Sequence, residues 1–119
     1  MEISYLLNQS EFFKGLSPEN KVALEGICVP KTVGKGENLF LEWDKGYALY
    51  LLATGNIQLY KSTPDSREMV IKVIKPGEIF AEVILFEMPH YPVNARALKK
   101  SLLYVMPKMQ FQNLLPDMQ

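Results

Sequence analysis

The chain reads as mainly β, an antiparallel roll or sandwich with short helices at its flanks, and three observations predict this. Short segments rich in β-branched and aromatic residues recur about every ten residues from Cys28 onward. Turn signals separate them: Gly34-Lys35-Gly36, Thr54-Gly55-Asn56, Thr63-Pro64-Asp65-Ser66 and Pro76-Gly77. At 119 residues the chain is long enough for one real core and too short for a second.

The helical flank comes first. Tyr5 to Phe13 and Ser17 to Ile27 read as two short helices broken at Gly15, with Ser17 as N-cap, Pro18 in the first turn, and Val22, Leu24 and Ile27 as part of an apolar stripe. The strands expected next are 29–33, 38–43, 47–53, 57–62, 69–74, 92–98 and 102–106, making a β region over about 28–106. Residues 107–115 close the chain as a short helix opening on Pro107. The ending Pro116-Asp117-Met118-Gln119 has no cap or tail, which points to a fragment of a longer protein.

Composition excludes several functions. Thirteen Lys and Arg balance thirteen Asp and Glu, so no basic excess argues for nucleic acid or an anionic membrane. Cys28 is the only cysteine, which rules out an internal disulfide and fits a reducing cytoplasm. No leader pattern opens the chain, and no apolar run approaches roughly 18 residues, so secretion and membrane spanning are not expected. There is no Gly-x-Ser-x-Gly motif, catalytic carboxylate pair or Cys-His arrangement, and the chain does not read as an enzyme.

The chemistry concentrates between Lys75 and Leu98. A Pro-Gly turn leads into Phe80-Ala81-Glu82-Val83-Ile84-Leu85, an apolar run with one carboxylate. If its neighbours pack, Glu82 must be hydrogen-bonded, paired or left at a pocket wall, because an unpaired buried carboxylate is costly. It serves either as a ligand contact or as an acceptor of loop amide donors. Downstream, Val93, Ala95 and Ala97 fall on one face of an extended strand, with Asn94, Arg96 and Leu98 on the other. Small inner residues leave room for a ligand. Trp43, Tyr47, Tyr50 and Tyr60 lack interleaved basic residues, so they are expected to pack between strands, and Lys99-Lys100 to form a solvated turn.

Leu49-Tyr50-Leu51-Leu52-Ala53-Thr54-Gly55-Asn56-Ile57-Gln58-Leu59-Tyr60, then Glu68-Met69-Val70-Ile71, Lys75-Pro76-Gly77-Glu78 and Phe80-Ala81-Glu82-Val83, form an ordered series. It resembles the cyclic-nucleotide-binding β-roll of the Crp/Fnr transcription-regulator superfamily, from about Phe12 to Gln119. The resemblance implies a sensor domain built as a double-stranded β-helix jelly roll. A small-molecule effector would bind it, and in the full-length protein a dimerisation helix and a helix-turn-helix DNA reader would follow, making a homodimer that contacts DNA only through that missing part. It also implies a pocket at Phe80, Ala81, Glu82, Val83, Tyr91, Pro92 and Val93.

In relatives that bind cyclic AMP, a glutamate holds the ribose and an Arg-Ser/Thr pair holds the phosphate; the resemblance puts the first on Glu82 and the second on Tyr91 and Pro92. Tyrosine supplies no positive charge and proline no donor. Ala81 stands where a glycine is usual, and Ile84 where a small residue is typical. The expectation is a domain without useful affinity for cyclic AMP or cyclic GMP. Tyr-Pro at this point also resembles the haem-binding, nitric-oxide-responsive branch, which would make His90, the only histidine, a candidate haem ligand. Met88, Met106 and Cys28 are weaker candidates, and one histidine cannot build a zinc site.

Overall fold

The structure, a computed structural model, describes residues 3–10, 13–85 and 88–114. Among these residues three helices, α1 (Ile3–Gln9), α2 (Pro18–Ile27) and α3 (Lys108–Leu114), flank eight strands: β1 (Val29–Val33), β2 (Asn38–Phe40), β3 (Ala48–Thr54), β4 (Ile57–Ser62), β5 (Glu68–Ile74), β6 (Ile79–Phe80), β7 (Asn94–Ala97) and β8 (Ser101–Pro107). The strands form two antiparallel four-stranded sheets, ordered β1-β8-β3-β6 and β2-β7-β4-β5. This is the expected jelly roll. Pro30 is tolerated in β1 because β1 lies at a sheet edge, where a missing ladder donor costs little.

Strand β3 is the spine. Ala48 to Ala53 are buried without a break, since one face meets the core while α1 and the 3-10 turn at Glu82–Leu85 pack against the strand. At the helical end Leu6, Leu7, Phe13, Leu24 and Phe111 are all at most 2% exposed, and the Phe13 and Phe111 rings lie 6.1 Å apart. Ser17 caps α2 as expected, its hydroxyl accepting from Asn20 N at 3.2 Å.

Several expected boundaries move, for identifiable reasons. Helix α1 begins at Ile3 and ends at Gln9; of the rest of its expected span, 11–12 lie outside the described residues and Phe13 sits in a turn. Val22 is 67% exposed, so the buried stripe of α2 rests on Leu24. The strand expected over 38–43 stops at Phe40, because Asp44 takes the chain into a turn: its Oδ2 accepts from Leu41 N and its own N–H donates to Leu41 O. Strand β7 is shorter than expected, with Pro92 and Val93 in a bend before it. Pro107 ends β8 rather than opening α3, and Leu115 lies outside the described residues. Trp43 and Tyr47 do not pack between strands: they are 68% and 69% exposed, while Tyr50 and Tyr60 are buried.

Candidate functional site

The loop carrying Glu82 is built by backbone geometry before any side chain matters. Gly77, at φ 92, closes the Pro-Gly turn and donates to Leu52 O at 2.8 Å, while Glu78 O accepts from Leu52 N at 3.1 Å. Those bonds set β6 against β3. The chain then bends at Ala81, whose φ of 66 lies in the left-handed region that glycine adopts at lower cost. This bend starts the 3-10 turn and places Glu82 in its first position. Ile84 is 1% exposed and packs on Gly46, where a Cβ would meet Ile84 Cγ2 at 2.5 Å. A glycine at 46 is therefore what admits the bulk at 84.

Glu82 has a half-buried side chain, and its Oε2 is buried with no hydrogen-bond partner among the described residues. No loop amide among them satisfies this atom, which leaves a desolvated acceptor. A donor brought by a ligand would satisfy it.

Tyr91 has a different environment. It is 3% exposed; its hydroxyl donates to Ala48 O at 2.8 Å, accepts from Ala48 N at 3.3 Å and lies 3.1 Å from the Tyr50 hydroxyl. Tyr91 has one proton, given to Ala48, so Tyr50 is the donor of that pair. Burial pushes both hydroxyls above their ordinary value, and for Tyr50 the bond to Tyr91 adds to the rise. The Tyr91 ring stacks on Phe40 at 3.8 Å with an interplanar angle of 13°, and Tyr50 and Phe80 continue the cluster at 5.3 Å. Phe40 is the cross-strand partner of Ala95, so an aromatic ring lies beside the small residue that was expected to leave a hollow.

The segment from Pro89 to Tyr91 is also tied to the 41–47 loop. Trp43 N donates to Tyr91 O at 2.9 Å, Tyr91 N to Asp44 O at 2.9 Å and Gly46 N to Pro89 O at 2.8 Å. These bonds hold Tyr91 in place from the backbone.

Of the predicted pocket residues, Phe80 and Tyr91 share the aromatic cluster, Ala81 forms the bend, and Val83 and Val93 pack half-buried against the core. Pro92 is half-buried in the bend. Glu82 shares no hydrogen bond with Tyr91 among the described residues. His90 is exposed and touches Lys45 through a backbone bridge. No group of three His, Cys, Asp or Glu residues among those described could hold a metal ion.

Arg96 lies on the face opposite Ala95 and Ala97. Its guanidinium donates to both Glu68 oxygens at 2.9 and 3.0 Å and to Gln58 Oε1 at 2.6 Å, and it rests 4.2 Å over the Tyr60 ring. Its hydrogen bonds lower the Glu68 carboxyl below the usual range. Sequence reasoning missed Phe40 as a site residue. The signal was its position in a strand paired with small residues, but only the register of β2 on β7 shows that pairing.

The cyclic nucleotide-binding domain, as a family, matches residues 30–117. A cyclic AMP receptor protein of Thermus thermophilus is 29% identical over 90 residues, covering 76% of this chain and 42% of that protein. The sensor domain of the transcriptional regulator DNR from Pseudomonas aeruginosa superposes with a TM-score of 0.88 at 27% identity, covering 98% of this chain and 81% of that one. The regulatory domain of Toxoplasma gondii PKA with cAMP has a TM-score of 0.90 at 23% identity over 98% of this chain and 44% of that one, a likeness of fold. This chain spans between 37% and 42% of the length of the bacterial regulators it matches.

Proposed function

This chain belongs to the cyclic nucleotide-binding domain family, and we propose that it is the effector-sensing part of a Crp/Fnr-type bacterial transcription regulator whose effector is not a cyclic nucleotide. The reading carries no enzyme activity. It places the protein in the cytoplasm, with dimerisation and DNA contact supplied by segments beyond this chain; among the described residues no helix is long and apolar enough to cross a membrane.

The observation that carries the reading is the buried Glu82 Oε2, which has no hydrogen-bond partner among the described residues. A buried acceptor without a partner lowers the stability of the empty domain, and a ligand hydroxyl or N–H would recover that cost on binding. The positions matching the phosphate clamp support the second half of the reading: Tyr91 is neutral and already bonded to Ala48, Pro92 has no N–H, and Arg96 is held by Glu68.

Two measurements test it. Titration calorimetry with cyclic AMP or cyclic GMP is expected to give no binding at micromolar concentration, and micromolar binding would overturn the reading. Glu82→Leu is expected to raise the stability of the ligand-free domain by about 1 kcal/mol, because it removes an unsatisfied acceptor. A loss of stability would instead make Glu82 structural. Haem is one effector to try: a Soret band on addition, lost in His90→Ala, would identify it, with exposed His90 as the axial ligand.

The aromatic cluster favours a second reading, a roll filled by its own side chains and serving as a dimerisation or docking scaffold. That reading predicts no Soret band and no thermal shift with any small molecule.

A further inference from the structure

The inner face of the first sheet is not covered along its whole width. Val29, Val105 and Tyr50 are cross-strand neighbours, so they form a row on that face, and Lys31 follows Val29 on the same face two residues along β1. Tyr50 at one end of the row is 7% exposed and Val29 at the other 53%. Strand β2, which has three residues and ends at Phe40, covers the Tyr50 end: the two rings stack with centroids 5.7 Å apart. At the Val29 end a recess of about 490 Å³ remains, bounded also by Lys31, Leu39, Tyr47, Ala48 and Val105. That volume lies in the range of small-molecule sites.

The walls decide what fits. Val29, Leu39, Ala48 and Val105 are aliphatic, and Tyr47, 69% exposed, adds a ring. Polar partners are scarce: the Tyr50 hydroxyl donates to Tyr91, so a sugar or nucleotide would bury donors and acceptors without replacements for their water. Lys31 is the one charged residue bordering this recess, and it makes no ion pair among the described residues. The adjoining hollow past Tyr47 carries both signs, Asp44 and Lys45, and the Asp44 carboxylate accepts from Leu41 N. An unmatched cation at an apolar recess fits a ligand with a hydrocarbon tail and one negative head.

We propose that this recess is a second ligand site, one that takes an aliphatic monocarboxylate: the tail lies against Val29, Leu39 and Val105, and the carboxylate pairs with the Lys31 ammonium. Glu82 is not among its walls, and the site does not depend on the nature of the effector. The tail removes from water the apolar surface that the fold leaves exposed at Val29 and Tyr47. The ammonium stays in contact with solvent, so its pairing selects the head group more than it tightens binding.

Calorimetric titration of the whole chain with sodium hexanoate, octanoate and decanoate, each below its micelle concentration, tests it. Binding is expected to saturate at one carboxylate per chain and to tighten roughly threefold for each added methylene. Lys31→Glu should weaken octanoate about tenfold, while 1-octanol, with the same tail and no charge, binds both forms alike. Val29→Trp fills the recess from an exposed position on an edge strand and keeps Lys31, so it should weaken octanoate and octanol together, at least about tenfold. Glu82→Gln should leave octanoate binding unchanged. Absence of saturable binding, an affinity indifferent to chain length or to Lys31→Glu, or a loss in Glu82→Gln equal to that in Val29→Trp overturns the proposal.

Discussion

Strand β7 presents two faces that solve opposite problems. On the inner face, Ala95 and Ala97 are at most 1% exposed and lie in the core with Phe40, Tyr50, Phe80 and Tyr91. On the outer face, Arg96 is held by Glu68 and Gln58 over Tyr60, and Asn94 bonds Tyr60 O and Glu42 N. The inner side is stabilised by dispersion and burial, the outer by hydrogen bonds that are charge-assisted and partly screened by solvent at Arg96 and buried at Asn94. Arg96, the arginine nearest Tyr91 and Pro92 in sequence, is held by Glu68 on the outer side, while Tyr91 is a buried neutral ring on the inner side.

The sharpest way to break this contrast is Tyr91→Ala. It removes a ring stacked on Phe40 and three hydrogen-bond contacts, and is expected to cost about 3–5 kcal/mol in urea unfolding. A loss below about 1 kcal/mol would mean that the inner face does not depend on the aromatic cluster. Alkaline pH attacks the buried tyrosines of this side together with Cys28 at the end of α2. Burial pushes the Cys28 thiol up to about 12 and holds Tyr50 and Tyr91 above their ordinary value of 10.0. These groups hold their protons more tightly folded than unfolded. Their contribution is complete below the unfolded values, 9.0 for the thiol and 10.0 for the phenols, and is lost as pH rises beyond them. The melting temperature should therefore stay level near neutrality and fall above about pH 9.

The outer face is expected to be more tolerant. Arg96→Ala should cost about 1 kcal/mol, chiefly through lost packing over Tyr60, and 1 M salt should reduce the difference only in part. Arg96→Lys should recover little of it, since an ammonium lacks the planar fork. The smallest effect lies at the bend feeding the site: Ala81→Gly should gain about 0.5 kcal/mol in thermal unfolding by relieving φ 66. A loss there would show that the methyl group packs more strongly than the bend is strained.

Much of this was legible in the residues. The alternation in 93–98 assigned Arg96 to the face away from Ala95 and Ala97, and the guanidinium is found there. Isolation in an apolar run marked Glu82 as an acid in need of a partner, and its Oε2 has none among the described residues. The exposure of Trp43 and Tyr47 was not legible. Aromatic residues in a β-rich sequence are ordinarily buried, and only the Asp44 turn, which ends β2 at Phe40, puts these two in solvent.

By itself the sequence determined the architecture, because strand length, turn chemistry and hydrophobic alternation are local properties that neighbouring residues settle. It also determined that Tyr91 carries no cation and Pro92 no donor, since side-chain identity is written in the chain. Tertiary structure alone decided what fills the inside of the roll. The pairing of Phe40 with Ala95 and the capture of the Tyr91 hydroxyl by Ala48 join residues 55 and 43 positions apart. Contacts at that separation depend on which distant strands and loops meet, and a strand's own residues do not name its partner.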